Sequence, residues 1–330
     1  MRIACLQFAP ALGKVTQNIE KADMILRKAA PCNIDLLVLP EMIFTGYNFR
    51  SLAAISHYLE PTAAGPSTRW AQETAKRLNC HVTVGYPEIT LNNPAQRFNS
   101  AVTVSPEGTI LANYRKHFLY ETDENWAQEG PEGFFAGELG KLGRVTMGIC
   151  MDINPYRFIA PWSSYEFATH AMKTSSPLVV LSMAWTTQLT SLQLSEKKLL
   201  PDMETLSYWL ARFRPLLARR NQENGMRRPH GVAQQQGSLL SSAENPQAKD
   251  SGPLPLNISE QESHQRIARD VIIVFCNRSG QDEEICFAGT TAVIGVKDGK
   301  MRIFDLLGRA QEECLVVDTR EPAKYGVLES

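Results

Sequence analysis

The chain has 330 residues, 43% of them hydrophobic and 21% charged, with a formal net charge of -1. That is enough apolar material for one large α/β domain or two ordinary ones. The near-neutral balance excludes the basic excess of a general nucleic-acid binder, and no apolar run approaches the ~20 residues that cross a bilayer.

The first residues, MRIACLQFAP, carry no basic stretch followed by a long apolar run and a small-residue cleavage site. They read as a buried strand that Pro10 ends. Apolar residues then recur at helical spacing (Ile19, Ala22, Ile25, Leu26, Ala29), with Thr16 as the candidate cap and Pro31 as the stop. IDLLVLP is a second buried strand, which completes a β-α-β unit. STRWAQETAKRL (67–78) predicts a helix and CHVTVGYPEI a strand. RFNSAVTVSPEGTILANYRK predicts two strands around the turn Pro106-Glu107-Gly108.

GRVTMGIC is a further strand, SSYEFATHAMKT a helix and SPLVVLSMAW a strand. PDMETLSYWLARFRPLLARRN predicts a long amphipathic helix broken or bent at Pro215. From about 221 to 270 the chain is rich in Gln, Ser, Asn, Gly and Pro with no clear period, which predicts a low-complexity surface insertion within a single domain. DVIIVFCNRSG, CFAGTTAVIGV, MRIFDLL and ECLVVDT close the chain as strands. This alternation predicts an α/β fold with a mixed sheet or paired sheets. Neither G-x-G-x-x-G after the first strand nor a phosphate-binding P-loop motif is present.

Seven scattered cysteines (Cys5, Cys32, Cys80, Cys150, Cys276, Cys286, Cys314) form no C-x-x-C pair. That argues against a zinc site or a disulfide scaffold and for a reducing compartment, so a cytoplasmic chain, with a nuclear pool as a further option, is expected.

Three reactive residues share one context. Glu41 follows IDLLVLP, Lys116 follows TILANYR and Cys150 follows GRVTMGI, each just past a predicted buried strand. Strand ends converge on the ligand crevice in α/β folds. A carboxylate there could take a thiol proton, the thiolate could attack an amide or nitrile carbon, and an ammonium could hold the developing oxyanion. Singly, each has a blander reading: a small core thiol, a loop carboxylate, a solvated lysine.

At these residues, in LLVLPEMIFTGY, NYRKHFLYETDE and MGICMDINPY, the sequence resembles the carbon-nitrogen hydrolase (nitrilase) superfamily. The opening strand with Gln7 and RFNSAVTVSPEG ahead of the lysine fit the same pattern. The resemblance implies a nitrilase-like four-layer αββα sandwich, often paired into a homodimer, a covalent thioester intermediate, and no metal or organic cofactor. It implies Glu41 as general base, Lys116 as electrostatic stabiliser, Cys150 as nucleophile and the backbone N–H of Met151 as a second oxyanion donor. A second glutamate often follows the lysine; Glu124 matches best, with Glu121 and Glu129 nearby. None of the six histidines needs a catalytic role, His117 included.

After the cysteine, CMDINPYRFIAPW departs from the superfamily's common aromatic and Arg-Phe-Pro-Glu run. There it resembles a fungal-type group that deamidates N-terminal Asn and Gln of proteins to Asp and Glu, feeding the N-degron pathway. The expected partners are therefore protein or peptide N-termini, with no nucleic acid and no membrane. Such a substrate carries a protonated α-amine. Asp152 is the first carboxylate expected to bind it, with Asp123 or the neighbouring glutamates as alternatives; Asp152 could instead cap a loop through backbone N–H groups. Asn154 and Trp185 are expected pocket residues. Two other functions stay open on the sequence: a small-molecule amidase or carbamoylase with the same three residues, and a catalytically silent binder of N-termini.

Overall fold

A computed structural model describes residues 1–217 and 270–328. The expected insertion at 221–270 lies outside the described residues except for Asp270, which opens a strand. Two seven-stranded sheets dominate. The first runs Glu313–Asp318, Arg2–Gln7, Leu36–Val38, His81–Ile89, Arg97–Val104 and Ile110–Arg115, with the short Glu60–Pro61 strand beside His81–Ile89. The second runs Tyr325–Leu328, Lys300–Leu306, Ala292–Lys297, Asp270–Asn277, Leu178–Met183, Arg144–Ile149 and Phe135–Glu138. Each sheet mixes parallel centre strands, joined by helical crossovers, with antiparallel hairpins at the edges.

The period-2 alternation of strand side chains sets the layers. Ile3, Cys5, Leu36 and Val38 on the first sheet share a core with Val145, Met147, Ile273 and Phe275 on the second. The alternate residues Ala4, Leu6, Leu37 and Leu39 face the helices Val15–Ala29 and Pro66–Leu78 through Ala22, Leu26, Trp70 and Ala75. Phe167 and Ala171 of the helix Glu166–Lys173, with Leu206 and Trp209 of Met203–Arg212, pack on the second sheet. This is helix on sheet on sheet on helix, the expected αββα sandwich.

Some local expectations change. The first helix begins at Val15, with Lys14 in the capping position and no side-chain cap, so Thr16 lies inside the first turn. The helix expected before Pro215 stops at Arg212 and passes into a 3₁₀ turn over Arg214–Leu217. A helix over Ser191–Glu196, capped by Thr190, was too short to show a period.

Candidate active site

Glu41, Lys116 and Cys150 all come off strand ends on the same side of the sandwich. Glu41 follows Pro40 beyond Leu36–Val38, and Lys116 follows Ile110–Arg115, both in the first sheet. Cys150 follows Arg144–Ile149 in the second. Glu41 and Lys116 are fully buried, and Lys116 Nζ donates to Glu41 Oε1 at 2.7 Å. Nζ also donates to Asp123 Oδ2 at 2.6 Å. Asn99 Nδ2 bridges the two carboxylates, at 2.7 Å from Glu41 Oε1 and 3.0 Å from Asp123 Oδ1. The other oxygen of Glu41 accepts the backbone N–H of Ala184 at 2.8 Å. Ala184 directly follows the strand Leu178–Met183, so this bond joins the two sheets at the site.

The second carboxylate beside the lysine is Asp123, not Glu124. The short helix Glu121–Glu124 turns about 100° per residue, so adjacent residues face different ways. Asp123 points in and is fully buried, whereas Glu124 is exposed. Asp123 also accepts the backbone N–H of Tyr120, which closes its own helix start around the lysine. Of the two other glutamates considered, Glu121 is exposed and Glu129 is half-buried, where it accepts the Tyr156 hydroxyl at 2.8 Å.

Cys150 has φ +42°, a left-handed conformation that a side-chain-bearing residue adopts at a cost of about 1–2 kcal/mol. Strained backbone of this kind persists where the surroundings hold it, and it turns this thiol into a cavity rather than along its strand. Burial pushes the Cys150 thiol well above its ordinary range; Glu41 adds to that, and Lys116 opposes it. Burial also raises the Glu41 carboxyl, against the lowering effect of Lys116. For Lys116, burial favours the neutral amine, but Asp123 and Glu41 together override it and hold the ammonium charged. The resting site is thus a neutral thiol beside a carboxylate whose proton affinity is enhanced, next to a fixed cation.

Asp152 does not face the cavity as an amine ligand. It is fully buried, and its oxygens accept four donors. Oδ2 takes the Tyr114 hydroxyl and the Ile149 N–H, both at 2.7 Å. Oδ1 takes the N–H groups of His117 at 3.1 Å and Phe118 at 2.8 Å. With its acceptor sites filled, Asp152 ties the turn carrying Cys150 to the segment carrying Lys116. Burial raises its carboxyl, while the Phe118 and Ile149 N–H groups and Tyr114 pull the other way. His117 stands apart from the chemistry, with Nδ1 against the Gly130 carbonyl and its ring stacked on Phe118.

Cys150 opens into a cavity of about 600 Å³. Asn154 and Trp185 line it, together with Met151, Tyr47, Tyr120 and Tyr208. Asn154 is buried, with Oδ1 accepting the Tyr208 hydroxyl at 2.6 Å and Nδ2 on the Met151 sulfur at 3.1 Å. Trp185 packs edge-on against Trp209 and tilted against Tyr208. Asn99, Tyr208 and the cavity carboxylates Asp202 and Glu204 carried no motif, and only the fold brings them here. Among the described residues no group of His, Cys, Asp or Glu is arranged to hold a metal ion.

The carbon-nitrogen hydrolase family model matches residues 2–159. A protein N-terminal amidase of Schizosaccharomyces pombe is 31% identical, over 97% of this chain and 100% of the relative. A protein N-terminal amidase of Saccharomyces cerevisiae is also 31% identical, over 62% of this chain and 49% of the relative. Among solved structures, an N-terminal amidase with an Asn-Glu-Ala peptide superposes with TM-score 0.75 at 22% identity, covering 96% of both chains. An amidase from Nesterenkonia sp. follows at TM-score 0.59 and 18% identity, covering 96% of this chain and 89% of that one. At those identities the structural matches speak for the fold alone.

Proposed function

Because the chain belongs to the carbon-nitrogen hydrolase family and is an enzyme for amide C–N bonds, we propose that it deamidates N-terminal Asn and Gln of proteins and peptides, releasing ammonia. The observation that carries this reading is the buried Glu41–Lys116 pair beside a strained Cys150 on the floor of a cavity. The relatives named above supply the substrate class.

In this mechanism Glu41 takes the Cys150 proton as the thiolate attacks the side-chain amide carbon. Its raised proton affinity suits it to that task. An ammonium has three donors; Lys116 spends two on Glu41 and Asp123, and the third faces the developing oxyanion. The Met151 N–H, at the start of the helical turn Cys150–Ile153, is the second donor. Glu41 returns its proton to the departing nitrogen, ammonia leaves, and a thioester remains. Water enters, gives a proton to Glu41 and attacks the thioester carbon; the product acid leaves as the proton returns to sulfur. The net reaction is amide plus water to acid plus ammonia. Asp123 is the positioning residue for the ammonium.

We place the reaction in a reducing compartment such as the cytoplasm, where seven free thiols are stable, and in an N-degron route that consumes newly exposed Asp and Glu termini. The described residues make one hydrolase domain in this reading. The test is ammonia release from Asn- and Gln-initiated peptides, from their N-acetyl forms and from free asparagine. Release from the free-amine peptides, absent in Cys150→Ala, supports the proposal. Equal turnover of the acetylated peptides, or turnover of free asparagine alone, overturns it.

A further inference from the structure

Resting on that reading, we infer that Asp202 is the anchor for the substrate's α-ammonium group. Asp152, the carboxylate adjoining the nucleophile, has no acceptor site left, so the charge on the substrate must meet another group. Asp202 lines the same cavity as Cys150 and is only 6% exposed. It precedes the helix Met203–Arg212, where Oδ1 accepts the Thr205 N–H at 3.2 Å and Oδ2 accepts the Thr187 hydroxyl at 2.8 Å. Both bonds are from neutral donors. Among the described residues no cation pairs with it, although a buried carboxylate ordinarily has one. Arg309 also lines the cavity, but its Nε and Nη2 donate to the carbonyls of Leu200 and Pro201. Asp202 is held rigidly, since its own N–H donates to the buried Thr290 hydroxyl at 2.8 Å.

The reach fits. Ala184, bonded to Glu41, lies three residues before Thr187, which holds Asp202. Three extended residues span at most roughly 10 Å. With its amide carbon at the sulfur, an N-terminal Asn or Gln sets its α-nitrogen about 4–5 Å further along, and a hydrogen bond adds about 3 Å. Trp185 and Tyr208 line the same cavity, and aromatic rings attract a cation. Glu204, exposed on the same cavity, adds negative charge at its outer part.

Capping the helix explains Asp202 without any ligand, and the two roles separate cleanly. Asparagine caps as well as aspartate, so Asp202→Asn keeps the Thr205 bond and turns an NH₂ donor toward the Thr187 hydroxyl, which accepts it by rotating, but loses the charge. The experiment measures kcat and KM for an Asn-initiated peptide, its N-acetyl form and its desamino analogue, with thermal unfolding alongside. Asp202→Asn is expected to raise KM for the free-amine peptide roughly 10–100-fold, the loss of one charge-assisted bond, and to cut the preference over the other two by the same factor. Glu204→Gln is expected to change KM less than about 3-fold, since an exposed charge is screened. In the wild type, KM should climb above about pH 8 as the α-amine loses its proton, and Asp202→Asn should flatten that rise. Wild-type selectivity retained in Asp202→Asn, or lost in Glu204→Gln instead, overturns this inference and leaves the proposed function standing. A wild type that does not discriminate at all, or whose KM ignores the α-amine, overturns both.

Discussion

Two fully buried carboxylate sites flank Cys150, and they handle negative charge in opposite ways. Glu41 and Asp123 share a cation, Lys116, with Asn99 between them. Asp152 has no such ion-pair partner among the described residues and is satisfied by three backbone N–H groups and one phenol. A carboxylate balanced by a mobile-proton neighbour and a cation can exchange a proton within the site. One enclosed by fixed neutral donors holds its geometry instead. The sequence offered Glu41 and Asp152 as site carboxylates; their partners, not their burial, separate the proposed base from the residue that ties two segments together.

Four variants would break or sharpen this contrast. The largest effect is expected for Lys116→Met. Removing the cation leaves two uncompensated buried carboxylates, a loss of about 3–5 kcal/mol in urea unfolding, and turnover should fall by about 100-fold or more. The pH profile carries the sign. As the proposed base, Glu41 acts deprotonated, and its carboxyl is raised by burial, so the acid limb of kcat/KM should lie above the ~4.3 of a free glutamate. Lys116 pulls Glu41 down, so residual activity in the methionine variant should show a limb moved further up. An unmoved limb would remove Glu41 as the group it reports.

Asp152→Asn comes next. An amide cannot accept all four donors, because its NH₂ group faces two of them. A stability loss of about 1–3 kcal/mol and a lower kcat are expected, with the preference for a free α-amine unchanged. A selective loss of that preference would return Asp152 to the role of amine ligand. The smallest effect is expected for Glu124→Gln, within about 2-fold of wild type at an exposed position. Asp123→Asn, one residue earlier, should lower kcat by about 10-fold or more, since it withdraws a charge-assisted partner from Lys116. The reverse ranking would show the lysine held differently in solution.

Much of this was legible in the chain. Buried strands alternating with amphipathic helices specified an α/β fold with a mixed sheet or paired sheets, because hydrophobic period depends only on local sequence; the four-layer order came from the family resemblance. Strand ends suggested the reactive trio, and the family resemblance assigned it. Glu41, Lys116 and Cys150 each sit directly after an apolar strand, and strand ends in an α/β sandwich meet at one edge. Asn154 and Trp185 followed from their closeness to the same strand ends.

What the tertiary structure alone decided is which polar atoms face each other. Asp123 and Glu124 are one residue apart and chemically alike, and only a four-residue helical turn sends one to Lys116 and the other to solvent. Asp152 meets Tyr114, His117 and Phe118, all more than 30 residues away, and Asp202 meets Thr187 and Thr290 from separate segments. Local pattern governs which face of an element is apolar. The partners of a buried charge come from wherever the packed fold brings the chain, and desolvation makes those partners decide its protonation and its role.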